Sequence, residues 1–331
     1  MLHNVFVIGG SGFIGSSLCE ALTKAPLLNF TILDKVISDI YPDVTKIADI
    51  TSTIDDKLAF GHDVIVNLAA AHRDDIRPLS IYFDTNVLGA INVCELAKNC
   101  NINKIIFTSS VAVYGFAPLG TNESGEIAPF NEYGRTKWEA EKIYRNWQAE
   151  DAFNRTLVII RPTVVFGERN RGNVFNLLRQ IAFGKFVMVG DGLNRKSMAY
   201  VENVAAFLKF SLDFKPGVHM YNYIDKPDFT MNTLVAHVNK LFGRSLDLKF
   251  RLPFSLGLLI GSCFDMVGTI TGRKFPISAI RVKKFCANSV YESGIELTGF
   301  IPPVPLMDAI EKTVRFEFIE DHKSGQVFYS E

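Results

Sequence analysis

Short apolar runs alternate with stretches of helical spacing along most of the chain, and this alternation limits the possible folds more than any other feature. The runs are NVFVIGG, FTILDK, DVIVNLAA, KIIFTSS and TLVIIRPT. Strands that are apolar on both faces need cover on both faces, as in a parallel sheet with helices on each side. The pattern therefore predicts an α/β fold with a doubly wound parallel sheet of the Rossmann kind.

The segment GGSGFIG follows the first apolar run and opens a stretch of helical spacing. Its glycines allow a tight turn, a close approach of the backbone to a pyrophosphate, and close packing of the helix on the strand. The pyrophosphate then lies at the positive end of the helix. The motif predicts a dinucleotide site that includes Gly9, Gly12, Phe13, Ile14 and Gly15.

An acidic residue, Asp34, ends the second apolar run. At this distance from the glycines a carboxylate would bond the adenosine ribose hydroxyls and repel a 2′-phosphate, which favours NAD over NADP. The adjacent Lys35 could weaken that preference. Asp49 and Ile50, in KIADI, are candidates to line the adenine, with an ordinary loop position as the alternative.

Tyr133 and Lys137, in NEYGRTKW, are spaced so that a helix places both side chains on one face. An ammonium beside a phenol favours the phenolate, and it lowers the tyrosine pKa from its ordinary value of about 10. Tyr133 would then be able to accept and donate a proton. The alternative is an exposed helix pair without chemistry, but here the pair follows a predicted strand that ends in FTSS.

Composition excludes several other classes of protein. Lysine plus arginine equals aspartate plus glutamate, 35 each, so no overall field attracts nucleic acid. Five scattered cysteines without CxxC spacing fit packing roles in a reducing cytosol better than disulfides or zinc ligation. The start of the chain lacks the pattern of a secretion signal, so we expect an intracellular protein. The run from His72 to Asp75 is too crowded for a tetrahedral metal site, and we expect no metal.

The motifs GGSGFIG, NLAA, FTSSVAVYG, YGRTK, RPTVVFG and MAYVENVA occur together in the order typical of the extended short-chain dehydrogenase/reductase family. The chain resembles the sugar epimerase branch of that family over nearly its whole length. The resemblance implies bound NAD, Tyr133 as acid and base, Lys137 as the residue that polarises it and holds the nicotinamide ribose, and Ser110 as a hydrogen-bond partner of the reacting oxygen. It adds to the cofactor site Leu68, Ala69, Ala70 and Pro162.

The residues after the predicted active-site serine bear on the reaction. Val111 and Ala112 stand where dehydratases of this family carry a carboxylic acid and a carboxylate, which disfavours a dehydratase. AHRDDIRP, GERNRGNVFNLLRQIAFGKF and, well outside the cofactor core, RVKKFCA resemble epimerases that act on a sugar carried by undecaprenyl diphosphate. That likeness implies 4-epimerisation of N-acetylglucosamine to N-acetylgalactosamine through a 4-keto sugar, in the synthesis of O-antigen or another surface polysaccharide. A UDP-N-acetylglucosamine 4-epimerase, a sugar 4-ketoreductase and an NAD-holding sensor are the alternatives.

The domain and substrate predictions follow from the less regular second half of the chain. We expect an NAD-binding domain over residues 1–168 and 197–224, and a smaller substrate-binding α/β lobe over 169–196 and 225–331, where prolines break the chain. In GDGLNRKSM, a lysine stands where relatives carry an arginine that clasps phosphate. The candidates for binding the substrate and its diphosphate are Ser110, Arg171, Asn173, Lys196 and Arg281, with solvated surface charge as the alternative for the basic residues.

Residues 253–272, PFSLGLLIGSCFDMVGTITG, carry a single charge, Asp265. About 20 apolar residues can span a bilayer, but the aspartate and the glycines argue against a spanning helix. Two alternatives remain: a buried helix of the lobe, or an apolar surface at a membrane, flanked by the basic residues Arg273, Lys274, Arg281, Lys283 and Lys284. A lipid-linked substrate favours the second alternative, with the protein peripheral on the inner face of the cytoplasmic membrane. The family resemblance also implies a homodimer through paired helices.

Overall fold

The structure, a computed structural model of the chain, describes residues 3–25, 27–73, 76–245, 251–272, 278–322 and 325–329. The strands within these ranges are β1 His3–Ile8, β2 Leu28–Asp34, β3 Thr45–Ile47, β4 Val64–Asn67, β5 Lys104–Thr108, β6 Thr156–Pro162, β7 Val164–Phe166, β8 Met188–Val189, β9 Arg195–Tyr200, β10 Gly217–Tyr223, β11 Asp225–Thr230 and β12 Arg251–Leu252. The α-helices are α1 Phe13–Thr23, α2 Ser80–Phe83, α3 Gly89–Asn99, α4 Glu132–Ala149, α5 Asn173–Ala182, α6 Val201–Phe210, α7 Met231–Leu241, α8 Phe254–Thr271, α9 Ala279–Cys286 and α10 Leu306–Phe318.

The main sheet has seven parallel strands in the order β3-β2-β1-β4-β5-β6-β10. Apolar side chains cover both of its faces, with Phe107 and Trp147 in the cluster on one side and Val66 and Phe207 in the cluster on the other. The doubly wound parallel sheet predicted from the apolar runs is confirmed. β1 pairs with β2 on one side and with β4 on the other, so the direction of the strand order reverses between β1 and β4. A crevice opens at the carboxyl ends of β1 and β4, where the reversal occurs.

The chain returns to the main sheet late, as the sequence pattern suggested. β10 pairs with β6 in parallel, and α6 packs on α1. A second sheet has three strands in the order β11-β9-β7, and its strand β9 packs on both α6 and α10. The predicted boundary between residues 196 and 197 falls inside β9, so the division into two domains stays a prediction. The lobe packs α5, α7 and α10 around a cluster that includes Phe166 and Met198.

The apolar stretch 253–272 forms α8, which lies on the surface of the lobe. A Cβ atom on Gly261 would lie 2.7 Å from the backbone nitrogen of Ala279, so the small residue lets α8 rest directly against the start of α9. The side chain of Asp265 supports the same junction, because its Oδ2 accepts a hydrogen bond of 3.0 Å from Ala279 N–H. Of the two alternatives for this stretch, the buried helix is therefore wrong.

The outward face of α8 is apolar. Leu256, Leu259 and Met266 share this face at helical spacing and are 42%, 60% and 61% exposed. Cys263 lies on it as well and is exposed, so the prediction that all cysteines are packing residues is wrong at this position. No helix in the described part of the chain is long and apolar enough to cross a membrane.

Candidate active site

The glycine-rich turn after β1 lies directly on the loop after β4. Gly9 has a φ of +78°, and a Cβ atom there would lie 2.7 Å from the backbone nitrogen of Ala69. A Cβ atom on Gly15 would overlap the Gly9 carbonyl, so α1 packs tightly on the turn. No side chain caps α1 at Gly12, which leaves the first N–H groups of the helix directed at the crevice. This cradle fits the pyrophosphate of a dinucleotide.

Asp34 is fixed at the end of β2 by backbone donors. Its carboxylate accepts hydrogen bonds from the N–H groups of Ser11, at 3.0 Å, and Lys35, at 2.7 Å. The ammonium of Lys35 lies 2.9 Å from Oδ2 of Asp49 and is thus paired away from Asp34. Burial acts to raise the pKa of Asp49, but the hydrogen bond from Thr51 and the Lys35 charge outweigh it, so that the pKa is lowered. A carboxylate at this position fits the ribose hydroxyls of NAD.

The other residues predicted for the cofactor lie on both sides of this crevice. Leu68 donates its N–H to the Ile8 carbonyl at 2.9 Å, which ties the loop of residues 68–70 to the end of β1. Ile50 is buried against Gly89, and Pro162 ends β6 in the interior. These placements leave the contacts of Leu68, Ala69, Ala70, Ile50 and Pro162 with NAD as predictions.

An asparagine that sequence reasoning missed ties this loop to α4. The amide of Asn86 accepts from Ala71 N–H at 3.0 Å and donates to the Ala71 carbonyl at 3.1 Å. It also donates to Thr136 on α4 at 2.9 Å. A buried asparagine inside an otherwise apolar helical stretch, NVLGAINV, was the available signal.

Tyr133 and Lys137 lie in the first turns of α4, as their spacing predicts. Asn131 caps this helix by accepting from Gly134 N–H at 2.9 Å. Lys137 is fully buried, donates to the Thr108 carbonyl at 2.8 Å, and lies 4.6 Å from the centre of the Phe107 ring. Burial lowers the pKa of Lys137 to about 7, with the negative charge of Glu141 acting against that shift.

Ser110 lies opposite the start of α4, in the turn after β5. Its hydroxyl accepts from Ala112 N–H at 3.1 Å and can still donate its own hydrogen. A Cβ atom on Gly134 would overlap the Ala112 carbonyl, so α4 begins in direct contact with this turn. The structure therefore brings Ser110 and the start of α4, with Tyr133 and Lys137, to the carboxyl end of β5, beside the cofactor crevice.

A buried ion pair behind these residues was not predicted. Arg161 donates to Glu141 from Nε at 2.8 Å and from NH2 at 2.5 Å, and both side chains are almost completely buried. Glu141 also accepts from the Ser109 hydroxyl at 2.6 Å. Arg161 also donates a hydrogen bond of 2.6 Å to the Tyr114 hydroxyl, which in turn donates one of 2.8 Å to the side chain of Asn222. The chain of contacts links the turn that carries Ser110 to the far strand of the sheet.

Two of the predicted diphosphate residues bind protein groups. Arg171 lies 2.8 Å from the Glu317 carboxylate and stacks 4.1 Å above the ring of Phe175. Lys196 donates to the carbonyls of Lys284, at 2.9 Å, and Ala287, at 2.7 Å, which lie at the end of α9. Burial lowers the pKa of Lys196 to about 8.

The other two candidates for binding the substrate, Asn173 and Arg281, lie at the starts of helices. Asn173 begins α5, and Arg281 is exposed in the first turn of α9. Binding of the diphosphate by Arg171, Lys196 and Arg281, and of the substrate by Asn173, stays a prediction. Asp74 and Asp75, which raised the question of a metal, lie outside the described residues, as do Arg273 and Lys274 beside α8.

Comparisons with known proteins give consistent results. Residues 5–223 match the NAD dependent epimerase/dehydratase family. A curated relative from Escherichia coli O157:H7, N-acetyl-alpha-D-glucosaminyl-diphospho-ditrans,octacis-undecaprenol 4-epimerase, is 46% identical over 335 residues, which cover 100% of each chain. The crystal structure of UDP-glucuronic acid 4-epimerase from Bacillus cereus with NAD superposes with a TM-score of 0.74 at 21% identity, covering 95% of this chain and 98% of that one. UDP-N-acetylglucosamine 4-epimerase from Methanobrevibacter ruminantium M1 superposes with a TM-score of 0.72 at 22% identity, covering 95% and 97%.

Proposed function

Because this chain belongs to the NAD dependent epimerase/dehydratase family, we propose that it is a 4-epimerase of N-acetylglucosamine carried by undecaprenyl diphosphate. The observation that carries the proposal is the full-length likeness to the Escherichia coli relative of that activity. Inversion of carbon 4 converts the sugar to N-acetylgalactosamine. The full-length match supports this substrate more strongly than a UDP-sugar, because it extends through the lobe that must hold whatever follows the sugar.

Tyr133 is the proton carrier of the proposed reaction. It takes the proton of the 4-hydroxyl as the 4-keto sugar forms, and returns a proton when the alcohol is restored on the other face. Lys137 supports the phenolate by its charge, and a phenolate in turn favours the charged form of Lys137. Ser110 donates a hydrogen bond to the reacting oxygen and holds it within reach of Tyr133.

The glycine-rich turn, the first N–H groups of α1 and the Asp34 carboxylate would hold NAD. Bound there, NAD would supply a reversible hydride acceptor for carbon 4, and no external oxidant would be consumed. The pairing of Lys35 with Asp49 supports NAD rather than NADP, because it occupies the nearest ammonium that could attract a 2′-phosphate.

Val111 and Ala112 favour an epimerase over a dehydratase. They form the first turn after Ser110, where neither side chain can move a proton. The site then has one proton carrier for one carbon, which is what an epimerisation requires.

The exposed face of α8 supports peripheral attachment to the inner face of the cytoplasmic membrane. Leu256, Leu259 and Met266 would enter the headgroup boundary, and the exposed Lys283 and Lys284 on the neighbouring α9 would meet anionic lipids. A polyprenyl carrier stays in the bilayer, so an enzyme resting on its surface would receive the diphospho-sugar without extracting the lipid. The predicted homodimer remains part of the proposal and adds nothing to this argument.

The reaction is tested in D2O with purified protein, undecaprenyl-diphospho-N-acetylglucosamine and no added NAD or reductant. We expect N-acetylgalactosamine whose carbon 4 carries no deuterium, because the hydrogen on that carbon does not exchange with water during epimerisation. Deuterium at carbon 4 would contradict the mechanism. Formation of a 4-keto sugar only when NAD is added, with one NADH produced per sugar, would favour a 4-ketoreductase running in reverse instead.

Membrane attachment is tested by flotation with vesicles of phosphatidylglycerol or of phosphatidylcholine. Wild-type protein should float with the anionic vesicles, and a variant with Leu256→Ser, Leu259→Ser and Met266→Ser should not. The matched control is Leu297→Ser with Ile301→Ser, which removes apolar residues that are 93% and 82% exposed elsewhere on the surface. Equal flotation of the folded α8 variant and the control would contradict attachment through α8.

A further inference from the structure

Two phenylalanines stack on the surface beside the proposed catalytic residues. The ring centres of Phe116 and Phe130 are 4.6 Å apart and their planes differ by 28°. They are 73% and 47% exposed, so water covers a continuous aromatic surface. Phe130 immediately precedes Asn131, the cap of α4, and is therefore three residues before Tyr133 in the sequence. We call Phe116 and Phe130 the aromatic platform.

The backbone beneath the aromatic platform is closely packed. Gly115 has a φ of +64°, and a Cβ atom there would overlap the Ala128 carbonyl, so the turn that carries Phe116 rests directly on the segment before Phe130. Ala128 also donates its N–H to the Val113 carbonyl at 3.1 Å. A surface fixed in this way loses little conformational entropy when a ligand binds to it.

The aromatic platform lies between the active site and the apolar face of α8. The ammonium of Lys284 is 5.1 Å from the centre of the Phe130 ring, and Lys284 lies in the last turn of α9. α9 in turn packs against α8, where Gly261 meets Ala279. Phe130, three residues before Tyr133 in the sequence, is thus connected through the exposed Lys284 ammonium and α9 to the helix that exposes Leu259.

On the basis of the proposed function, we infer that the aromatic platform binds the isoprene units nearest the diphosphate of the lipid carrier, with the Lys284 ammonium facing the diphosphate. Both parts of the ligand match what the protein presents: branched hydrocarbon packs on aromatic faces, and an ammonium attracts a diphosphate. In the substrate the diphosphate is bonded directly to the first isoprene unit, and on the protein the Lys284 ammonium lies directly beside the Phe130 ring. The aromatic platform would then select lipid-linked over nucleotide-linked sugars.

The test compares two substrates that differ only in the isoprenoid. One is undecaprenyl-diphospho-N-acetylglucosamine in detergent, and the other is the same diphospho-sugar esterified with methyl. Phe116→Ser with Phe130→Ser should raise the KM for the undecaprenyl substrate about tenfold, as expected for the loss of roughly one buried aromatic contact. It should leave kcat and the KM for the methyl compound unchanged. Phe116→Leu with Phe130→Leu should recover most of the lost affinity.

The matched control is Phe153→Ser, which removes a phenylalanine that is 94% exposed and lies before β6, at the opposite edge of the sheet from the active site. It should change neither KM. An unchanged KM for the undecaprenyl substrate in the double serine variant would overturn the inference, and so would an equal rise in KM for both substrates. Wild-type protein that epimerises neither compound would overturn the proposed function, and the inference with it.

Discussion

The cofactor half and the substrate lobe each carry a lysine at a motif position, and the two lysines have different surroundings. Lys137 lies where its motif predicts, in the first turns of α4 against the end of β5. Lys196 also stands at a motif position, but its ammonium is bound to the last carbonyls of α9. The glycine turn and the parallel strands fix the backbone around Lys137, whereas the surroundings of Lys196 depend on a helix far away in the sequence. A motif is thus most reliable where it also determines the local backbone.

The largest expected effect tests the cofactor half. Tyr133→Phe should lower kcat by about 10²–10⁴-fold, because it removes the group that moves the proton. The NAD content after purification, measured on the denatured protein, should stay at the wild-type level. Tyr221→Phe, on the edge strand β10, is the control and should keep full activity. A Tyr133→Phe enzyme with activity close to wild type would contradict the role of Tyr133 as the proton carrier.

The next effect concerns the buried pair of Glu141 and Arg161. Glu141→Gln should lower the free energy of unfolding by about 3–5 kcal/mol, because it leaves Arg161 charged and unpaired in the interior. Urea denaturation measures this loss. The control is Glu311→Gln, which breaks a surface pair with Arg315 and should cost less than about 1 kcal/mol. Equal losses of unfolding free energy in the two variants would show that the buried pair of Glu141 and Arg161 contributes no more to stability than the surface pair.

Lys137 gives a pH-dependent effect in the protein freed of cofactor. Its folded pKa of about 7 lies below the ordinary 10.5, so the unfolded chain binds more protons between these values. The stability of wild type relative to Lys137→Met should therefore rise as the pH increases from 7 to about 10, by up to about 1.4 kcal/mol per unit. Below pH 7 the difference should be constant. A difference that falls as the pH rises through this window would contradict the burial of the lysine.

The smallest expected effect tests the lobe. Lys196→Gln should lower the free energy of unfolding by about 1 kcal/mol, because it removes a cation from the carbonyl end of α9. The KM for the lipid-linked substrate should change less than about threefold, a difference below 1 kcal/mol. A larger rise in KM with unchanged stability would place Lys196 at the diphosphate, as the sequence first suggested.

The sequence predicted the fold and the cofactor crevice well because both depend on local patterns. Apolar runs specify buried parallel strands, and glycines specify the turn beneath a pyrophosphate. The pair of Glu141 and Arg161 could not be assigned, because its members lie on different elements and each resembles an isolated charge. The single arginine inside TLVIIRPT was nevertheless a signal, since a buried charge needs a partner.

The residues of α8 alone could not decide between a buried helix and a surface helix. A helix that is apolar on all sides is typical of a core, and only packing decides which side is covered. Here the glycines that meet α9 leave the side with Leu259 exposed. The aromatic platform was missed for the same reason, because Phe116 and Phe130 come together only through the contact of Gly115 with Ala128.

The most direct test of the central claim is the ratio of kcat/KM for undecaprenyl-diphospho-N-acetylglucosamine to that for UDP-N-acetylglucosamine, measured with one preparation and no added NAD. The product hexosamine is identified by hydrolysis and chromatography. The account predicts N-acetylgalactosamine from the lipid-linked substrate, with a kcat/KM at least about tenfold above that for the UDP-sugar. Conversion of the UDP-sugar alone would contradict the lipid-linked substrate, the membrane-facing role of α8 and the aromatic platform together.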